Sequence, residues 1–142
     1  MKLVSSDFQN NGELPAKFTC DGEGIWPNLQ WSEFPAETKS FTFYLYDPDA
    51  PSGNFIHWFL INIPKEIVEI KSDEKPTCDE LSNSSGKVGW YPPCPPSGKH
   101  RYVFEIFALS VEKLNISEIK NKTDLSSYIL DSAQIIGLYQ RK

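Results

Sequence analysis

The chain of 142 residues has few of the residues on which metal sites and disulfide frameworks depend. It has two histidines and three cysteines, and the cysteines at positions 20, 78 and 94 form no CxxC pair. The motifs HxH and HExxH are absent, so the sequence offers no pair of closely spaced metal ligands. We therefore predict neither a disulfide framework nor a bound metal or other cofactor.

Positive charge and long apolar runs are also lacking. The 19 acidic residues outnumber the 14 lysines and arginines, and the net charge of -5 argues against nucleic-acid binding. No eighteen apolar residues run together, and the opening MKLVSSDFQNNG has no apolar stretch of signal-peptide length. We expect a cytoplasmic protein without stable membrane insertion. Its length and its 39% of hydrophobic residues predict one domain over residues 1–142.

What the sequence does contain is a series of short strand-like segments separated by turns, without an internal repeat. Residues 41–47, FTFYLYD, alternate between two faces with the period of a strand. Residues 56–63, IHWFLINI, are apolar at nearly every position, which is typical of a strand buried on both faces. Residues 102–109 are similar, with Glu105 as the one charged interruption. We predict that these three strands form the centre of a sheet.

The other segments carry weaker patterns. Residues 65–85 have neither a helical nor a strand period and predict a surface loop. Thr123 is a suitable N-cap for one short C-terminal helix, and the expected apolar face of that helix is Leu125, Tyr128, Ile129 and Ala133. After it, IIGLYQRK predicts a final strand, because Ile135 and Ile136 are β-branched and Tyr139 suits a sheet.

The chemically unusual residues lie at the ends of the central strands. Asp47 closes the first strand, His57 opens the second, and His100 and Tyr102 share one face at the start of the third. If these strands are antiparallel neighbours, all four residues meet at one end of the sheet. The preceding segment YPPCPPSG is stiffened by its prolines and would form a wall of the resulting pocket.

Other interpretations of these residues remain open. His57 and His100 with Asp47 could hold zinc or iron in a metal-assisted hydrolase, and Cys94 with His100 could form a thiolate and its base. A lone histidine in an apolar strand is also commonly a hydrogen-bonded core residue. A binding pocket is favoured because both histidines fall at strand starts beside proline-rich loops.

Two long stretches, YDPDAPSGNFIHWFLINIP and PPCPPSGKHRYVFEIFAL, resemble the phosphatidylethanolamine-binding protein family, also called the Raf kinase inhibitor protein family. The likeness is strongest to its bacterial and archaeal branch. KFTCDGEG near the N-terminus and IIGLYQR near the C-terminus are similar to that branch as well. The resemblance covers essentially the whole chain.

This resemblance implies a mainly β protein with a large central antiparallel sheet, a second smaller sheet and a small pocket for phosphate-like anions or phospholipid head groups. By position, it assigns ligand binding to Asp47, Asp49, Pro51, His57, Pro93, Pro95, His100 and Tyr102, with Pro96 also in the wall. The family also implies a cis peptide bond between Ala50 and Pro51.

The function implied by the resemblance is non-catalytic binding without a cofactor. The expected partners are the anion or head group and a protein kinase or protease that binding would modulate. His57, His100, the Tyr102 hydroxyl and loop N-H groups would donate hydrogen bonds to phosphate. Asp47 would accept from a histidine N-H and favour the imidazolium. A metal-assisted hydrolase using His57, His100 and Asp47 is the alternative.

The chain departs from the family at two places. Tyr91-Pro92 replaces two glycines of the relatives, and Trp26-Pro27-Asn28 replaces their Ser-Pro-Pro. Proline removes an N-H and adds bulk, and Tyr91 adds a large ring with a hydroxyl. We therefore predict a pocket that is narrower than usual in the family and prefers small, compact anions.

Overall fold

A computed structural model describes residues 1–141 of the chain. Within this part, regular structure consists of strands and three short 3₁₀ turns, the latter at Ala16–Phe18, Ile116–Glu118 and Lys122–Leu125. The strands in chain order are β1 (Lys2–Val4), β2 (Gly12–Glu13), β3 (Leu29–Ser32), β4 (Ser40–Asp47), β5 (Phe55–Pro64), β6 (Glu69–Ile70), β7 (Asp79–Glu80), β8 (His100–Leu109) and β9 (Ile129–Tyr139).

The strands form two sheets. The larger sheet has six strands in the order β2-β9-β8-β4-β5-β7, and the smaller has three in the order β1-β3-β6. All pairings in the larger sheet are antiparallel except that of β2 with β9, which is parallel. The mainly β fold with two sheets is confirmed, and so is the central position of β4, β5 and β8. One parallel pair at the edge makes the large sheet mixed.

The alternation in β4 has the expected consequence for packing. Phe41, Phe43 and Leu45 belong to one hydrophobic cluster, which also includes residues of the smaller sheet. Tyr44 belongs to a second cluster on the other face, where it packs with residues such as Leu125. Both faces of the central strands are therefore covered, which explains why β5 and β8 read as nearly continuous apolar runs.

The C-terminal helix is much shorter than the sequence predicts. Only Lys122–Leu125 is helical, as a 3₁₀ turn, and its N-cap is Asn121 instead of Thr123. The chain then enters β9, which pairs with β8 along its whole length. The spacing of Leu125, Tyr128 and Ile129 fits a helix, but pairing with the free side of β8 prevails because it satisfies a long row of backbone groups. The predicted final strand is confirmed and begins earlier, at Ile129.

Two further expectations need correction. The residues described contain no cis peptide bond, so the Ala50-Pro51 bond is trans and the expectation of a cis bond is wrong. The trans form is the intrinsically favoured state of such bonds, by about 0.5–1 kcal/mol. The segment 65–85 is not a plain loop, because it contributes β6 to the small sheet and β7 to the edge of the large one.

Candidate functional site

The ends of the three central strands bring together the polar residues that the sequence placed there. Strand β4 pairs antiparallel with both β5 and β8, so its last residue, Asp47, lies beside the first residues of both neighbours. Asp47 is paired with Phe55 in the sheet, and its Oδ2 lies 2.6 Å from Nδ1 of His100. Asp47, His57 and His100 therefore lie at the same end of the large sheet, where the three central strands begin or finish.

A β-bulge turns His57 toward this edge. Leu45 pairs with Trp58 and Tyr46 pairs with Ile56, so His57 has no partner residue on β4. A bulge of this kind re-aims a side chain and breaks the strict alternation of the strand. The His57 ring lies edge-on to the Tyr102 ring, with 5.4 Å between the ring centroids. This contact links β5 to β8 past the end of β4, which lies between them.

Asp47 and His100 form a buried polar chain. Both are nearly inaccessible, at 3% and 6% exposure. Asp47 accepts from the His100 ring through Oδ2 and from the backbone N-H of Asp49 through Oδ1, at 2.8 Å. The other His100 nitrogen, Nε2, lies 3.1 Å from the carbonyl oxygen of Ser97. Both ring nitrogens of His100 therefore face acceptors, the Asp47 carboxylate and the Ser97 carbonyl.

Asp49 is engaged by a different partner. The guanidinium of Arg101 donates to both carboxylate oxygens, from Nε at 3.0 Å and from Nη2 at 2.8 Å, and the Arg101 backbone N-H donates as well, at 2.9 Å. The hydrogen bonds from Arg101 lower the pKa of Asp49 to about 2. Asp49 thus clamps the turn after β4 to the start of β8, and a direct role in ligand binding stays a prediction.

His57 is held by Tyr91 through two hydrogen bonds, one to its ring and one to its backbone carbonyl. The Tyr91 carbonyl lies 2.8 Å from Nδ1 of His57, and the Tyr91 N-H donates to the His57 carbonyl at 2.9 Å. Burial lowers the pKa of His57 below 6.5, and the opposing effects of Tyr91 and Asp47 are smaller. Desolvation thus favours the neutral ring of His57. The expected donation from His57 to a phosphate stays a prediction.

The Tyr102 hydroxyl is a buried polar group of the site that makes no well-formed hydrogen bond within residues 1–141. Tyr102 is fully buried, and among the residues described its hydroxyl oxygen bonds to none. Burial raises the pKa of Tyr102, and the nearby Asp47 carboxylate adds to this through its charge and as an acceptor within reach, at a geometry short of a well-formed hydrogen bond, so the hydroxyl keeps its proton. Buried hydroxyls normally have a partner, and one left free beside charged groups is suited to a bound molecule.

The proline-rich loop before β8 is fixed by a disulfide that the sequence argument missed. Cys20 and Cys94 are bonded, and the Cys20 N-H also donates to the Pro93 carbonyl at 3.0 Å. The argument against a disulfide framework did not foresee this single bond, because the two cysteines, 74 positions apart, meet only through tertiary packing. Cys94 has no free thiol, so the interpretation of Cys94 and His100 as a catalytic pair is wrong.

The remaining cysteine, Cys78, is also unsuited to act as a nucleophile. Cys78 is free, but burial together with Glu80 and Asp79 raises its pKa to about 12, so it carries little thiolate at neutral pH. The cytoplasmic location predicted from the sequence stays a prediction.

The predicted wall prolines differ in burial. Pro93 and Pro95 are buried in the loop that carries Cys94, whereas Pro51 and Pro96 are exposed. Within residues 1–141, none of these prolines is hydrogen-bonded to either histidine. Their contact with a ligand stays a prediction.

The two departures from the family pattern pack around this loop. The Tyr91 ring is 40% exposed and lies against Phe55 and His57, with centroid separations of 5.5 and 5.7 Å. Pro92 approaches Gly24, where an added Cβ would lie 3.3 Å from Pro92 Cγ. Trp26 stacks on Trp58 at 4.9 Å. Phe55 and the Ser97 carbonyl were missed as neighbours of the histidines, because only the folded loop brings them there.

The site has the polar groups of a binding pocket and lacks the arrangement of a metal centre. In the part of the chain that the structure describes, no three His, Cys, Asp or Glu residues are grouped so as to hold a metal ion. Residues 1–141 also include no helix that is long and apolar enough to cross a membrane. Fold and site together define a mainly β protein with a buried Asp-His pair and a free tyrosine hydroxyl at one sheet edge.

Comparison with known proteins agrees with this description. The model of the family described as phosphatidylethanolamine-binding protein matches residues 4–140, and the chain belongs to that family, which is generally one of binding proteins. A "UPF0098 protein" of Aquifex aeolicus is 42% identical over 99% of this chain and 89% of its own length. A protein of the same name from Methanothermobacter thermautotrophicus is 38% identical, with 99% of both chains covered.

Solved structures show the same fold. The phosphatidylethanolamine-binding protein homologue CT736 of Chlamydia trachomatis superposes with a TM-score of 0.93 at 30% identity, covering 99% of this chain and 97% of its own. YbcL of E. coli, described as a member of the mammalian family, gives 0.89 at 28% identity, with 99% and 98% covered. The family predicted from the two sequence stretches is confirmed.

Proposed function

We propose that this protein is a non-catalytic binding protein that takes a small phosphate-like anion, free or as the head group of a phospholipid, at the edge formed by Asp47, His57, His100 and Tyr102. The observation that carries the proposal is the Tyr102 hydroxyl, which is fully buried beside Asp47 and makes no well-formed hydrogen bond among the residues described. An anion oxygen is a strong acceptor and would satisfy this donor.

The charge pattern supports a small anion. Asp47 accepts a hydrogen bond from the His100 ring and Asp49 is paired with the Arg101 guanidinium, so each of the two carboxylates at this end of the sheet is engaged by a neighbouring donor. Backbone N-H groups of the loop before β8 can add further donors without a basic surface patch. The net charge of -5 agrees with a local site of this kind.

The test is calorimetric titration with inorganic phosphate and with phosphoethanolamine, in a buffer whose own anions do not bind. We expect saturable binding of one anion per chain, weakened about tenfold by Tyr102→Phe, as for loss of one good hydrogen bond. Lys87→Ala, an exposed change in the loop before the site, is the matched control and should leave the affinity unchanged. Absence of binding by the unaltered protein would refute the proposal.

Enzymatic alternatives have less support. A metal-assisted hydrolase needs several ligands that face one point, whereas both ring nitrogens of His100 face acceptors, and no three His, Cys, Asp or Glu residues among those described are grouped so as to hold a metal ion. Modulation of a protein kinase or protease rests on the family resemblance alone. It is tested by measuring pull-down of a candidate kinase or protease with the unaltered protein and with Tyr102→Phe, which should differ if occupancy controls the partner.

A further inference from the structure

The tautomer of His57 is fixed by its surroundings. Its Nδ1 lies 2.8 Å from the carbonyl oxygen of Tyr91, and a carbonyl can only accept, so Nδ1 carries the hydrogen. The backbone bond from the Tyr91 N-H to the His57 carbonyl, 2.9 Å long, keeps the two residues in register. In the neutral ring the second nitrogen, Nε2, therefore presents a lone pair and accepts hydrogen bonds.

The neutral ring is the form that the site favours at neutral pH. His57 is 4% exposed, and burial lowers its pKa. The charged groups that face it are Asp47 on β4, which opposes this shift, and His100 on β8, which adds to it. The Tyr102 ring, on the same strand as His100, is uncharged, since burial raises its pKa.

The other polar groups at this edge are largely used. Both Asp47 oxygens accept hydrogen bonds, and both His100 nitrogens face acceptors, Asp47 and the Ser97 carbonyl. Within residues 1–141, Nε2 of His57 makes no hydrogen bond, and neither does the Tyr102 hydroxyl. The groups left for a ligand are thus one hydroxyl, which can donate, and one nitrogen, which accepts.

We propose that His57 Nε2 accepts a hydrogen bond from the bound anion, so that the site selects oxyanions that carry a proton, such as hydrogen phosphate or a singly ionised phosphate monoester, over the fully ionised sulfate of the same shape. The inference rests on the proposed function, because it concerns the same site. Sulfate would set an oxygen lone pair against the nitrogen lone pair and against the Asp47 carboxylate, with no hydrogen between them.

Phosphate monoesters add a distinct signature. A monoester loses its last ionisable proton near pH 6, whereas inorganic phosphate still carries one hydroxyl after the corresponding step. Phosphoethanolamine should therefore bind more weakly as the pH rises through about 6, while inorganic phosphate should keep most of its affinity up to pH 8. If His57 bound the anion as a charged donor instead, the affinities for sulfate and for phosphate would both fall as the pH rises.

The experiment is calorimetric titration of the unaltered protein with inorganic phosphate and sulfate at pH 7.5, in a buffer whose anions do not bind. We expect phosphate to bind at least tenfold more tightly than sulfate. Equal, measurable affinities would overturn the inference and leave anion binding intact. If neither ion bound, the proposed function would fail, and this inference with it.

Two variants locate the selectivity. His57→Gln offers an amide N-H to the ligand, so the ratio of phosphate to sulfate affinity should fall toward one. Tyr102→Phe is the matched control, because it removes a group that serves both ions and should weaken both while keeping the ratio. An unchanged ratio in His57→Gln would overturn the assignment to His57.

A direct measurement avoids dependence on the folding of a variant. Nitrogen-15 magnetic resonance of the phosphate-bound, unaltered protein distinguishes a ring nitrogen with a lone pair from one that carries hydrogen. We expect Nε2 of His57 to have the shift of an unprotonated nitrogen that accepts a hydrogen bond. The shift of a doubly protonated ring in the complex at pH 7.5 would overturn the inference.

Discussion

Strand β5 contains two β-bulges, one near each end, and they serve different purposes. The first lies at His57, whose ring hydrogen-bonds through Nδ1, and beside a tyrosine hydroxyl that makes no well-formed hydrogen bond within residues 1–141. The second interrupts pairing between Phe41 and Phe43 of β4 and includes Asn62, whose φ is +58°. The Asn62 amide is fully engaged: it donates to Asp79 and to the Leu114 carbonyl and accepts from the Leu114 N-H.

The difference shows that a β-bulge alone does not indicate a binding site. Both bulges place a polar side chain out of the strand alternation, and asparagine at Asn62 suits a left-handed conformation. A groove of about 820 Å³ opens beside Asn62, yet the amide of that residue has its partners inside the protein. Spare hydrogen-bonding capacity, and not the bulge or the adjoining space, marks the His57 end as the candidate site.

The largest effect should come from the covalent link at the His57 end. Replacing Cys20 and Cys94 together with serine removes a cross-link between positions 74 apart. Loop-closure entropy predicts a loss of about 4 kcal/mol in the free energy of unfolding. Chemical denaturation of the oxidised protein and the double variant measures it, with Cys78→Ser as the control. A loss below about 1 kcal/mol would mean that the denatured chain is already constrained.

Next in size is the Asn62 bulge, which we expect to be structural. Asn62→Ala removes three hydrogen bonds and places alanine at positive φ, for an expected loss of about 3 kcal/mol in unfolding free energy. Asn62→Gly tolerates the backbone angle and should lose about 1 kcal/mol less. Anion affinity should stay unchanged in both. A fall in affinity would erase the distinction between the two bulges.

Tyr102→Phe should separate stability from binding at the His57 end. The buried hydroxyl makes no well-formed hydrogen bond among the described residues, so its removal should raise the free energy of unfolding by up to about 1 kcal/mol while weakening phosphate binding about tenfold. Thermal denaturation without phosphate and titration with phosphate measure the two effects. A clear loss of stability in the absence of anion would show that the hydroxyl has an internal partner, and the proposed site would lose its main support.

The smallest effect near neutral pH concerns the ionisation of His57. Because burial lowers its pKa, the unfolded chain takes up a proton below pH 6.5 while native His57 stays neutral. The stability contributed by the neutral ring is therefore complete above pH 6.5 and is lost as the pH falls through this value. Denaturation at a series of pH values, compared with His57→Gln, should show a steeper acid loss in the unaltered protein. Parallel profiles would contradict a neutral His57.

The sequence predicted the centre of the fold but not its fine adjustments. Alternation in β4 and the apolar runs of β5 and β8 are local patterns that burial on one or both faces imposes, so they can be read from residues alone. The strand β9 was partly missed because Leu125, Tyr128 and Ile129 also satisfy a helical spacing. Pairing with β8 decided between the two, and that is a tertiary effect.

The candidate site could be predicted as a meeting of strand ends but not in its chemistry. Asp47, His57 and His100 lie at the predicted edge because antiparallel neighbours place their ends together. The bulge at His57 depends on how β4 and β5 pair, and the neutral ring depends on the Tyr91 carbonyl. Neither leaves a local pattern in the sequence. That all 142 residues form one domain stays a prediction.

The Cys20–Cys94 bond also decides what happens when the backbone is cut. Residues 73–75 are exposed, and a protease that cleaves there separates Asp47 and His57 from His100 and Tyr102 along the chain. Cys20 belongs to the first fragment and Cys94 to the second, so the two halves of the site remain one covalent molecule. A nicked protein therefore keeps its histidines tethered in an oxidising medium, and a thiol reductant turns the same nick into a dissociable pair of fragments.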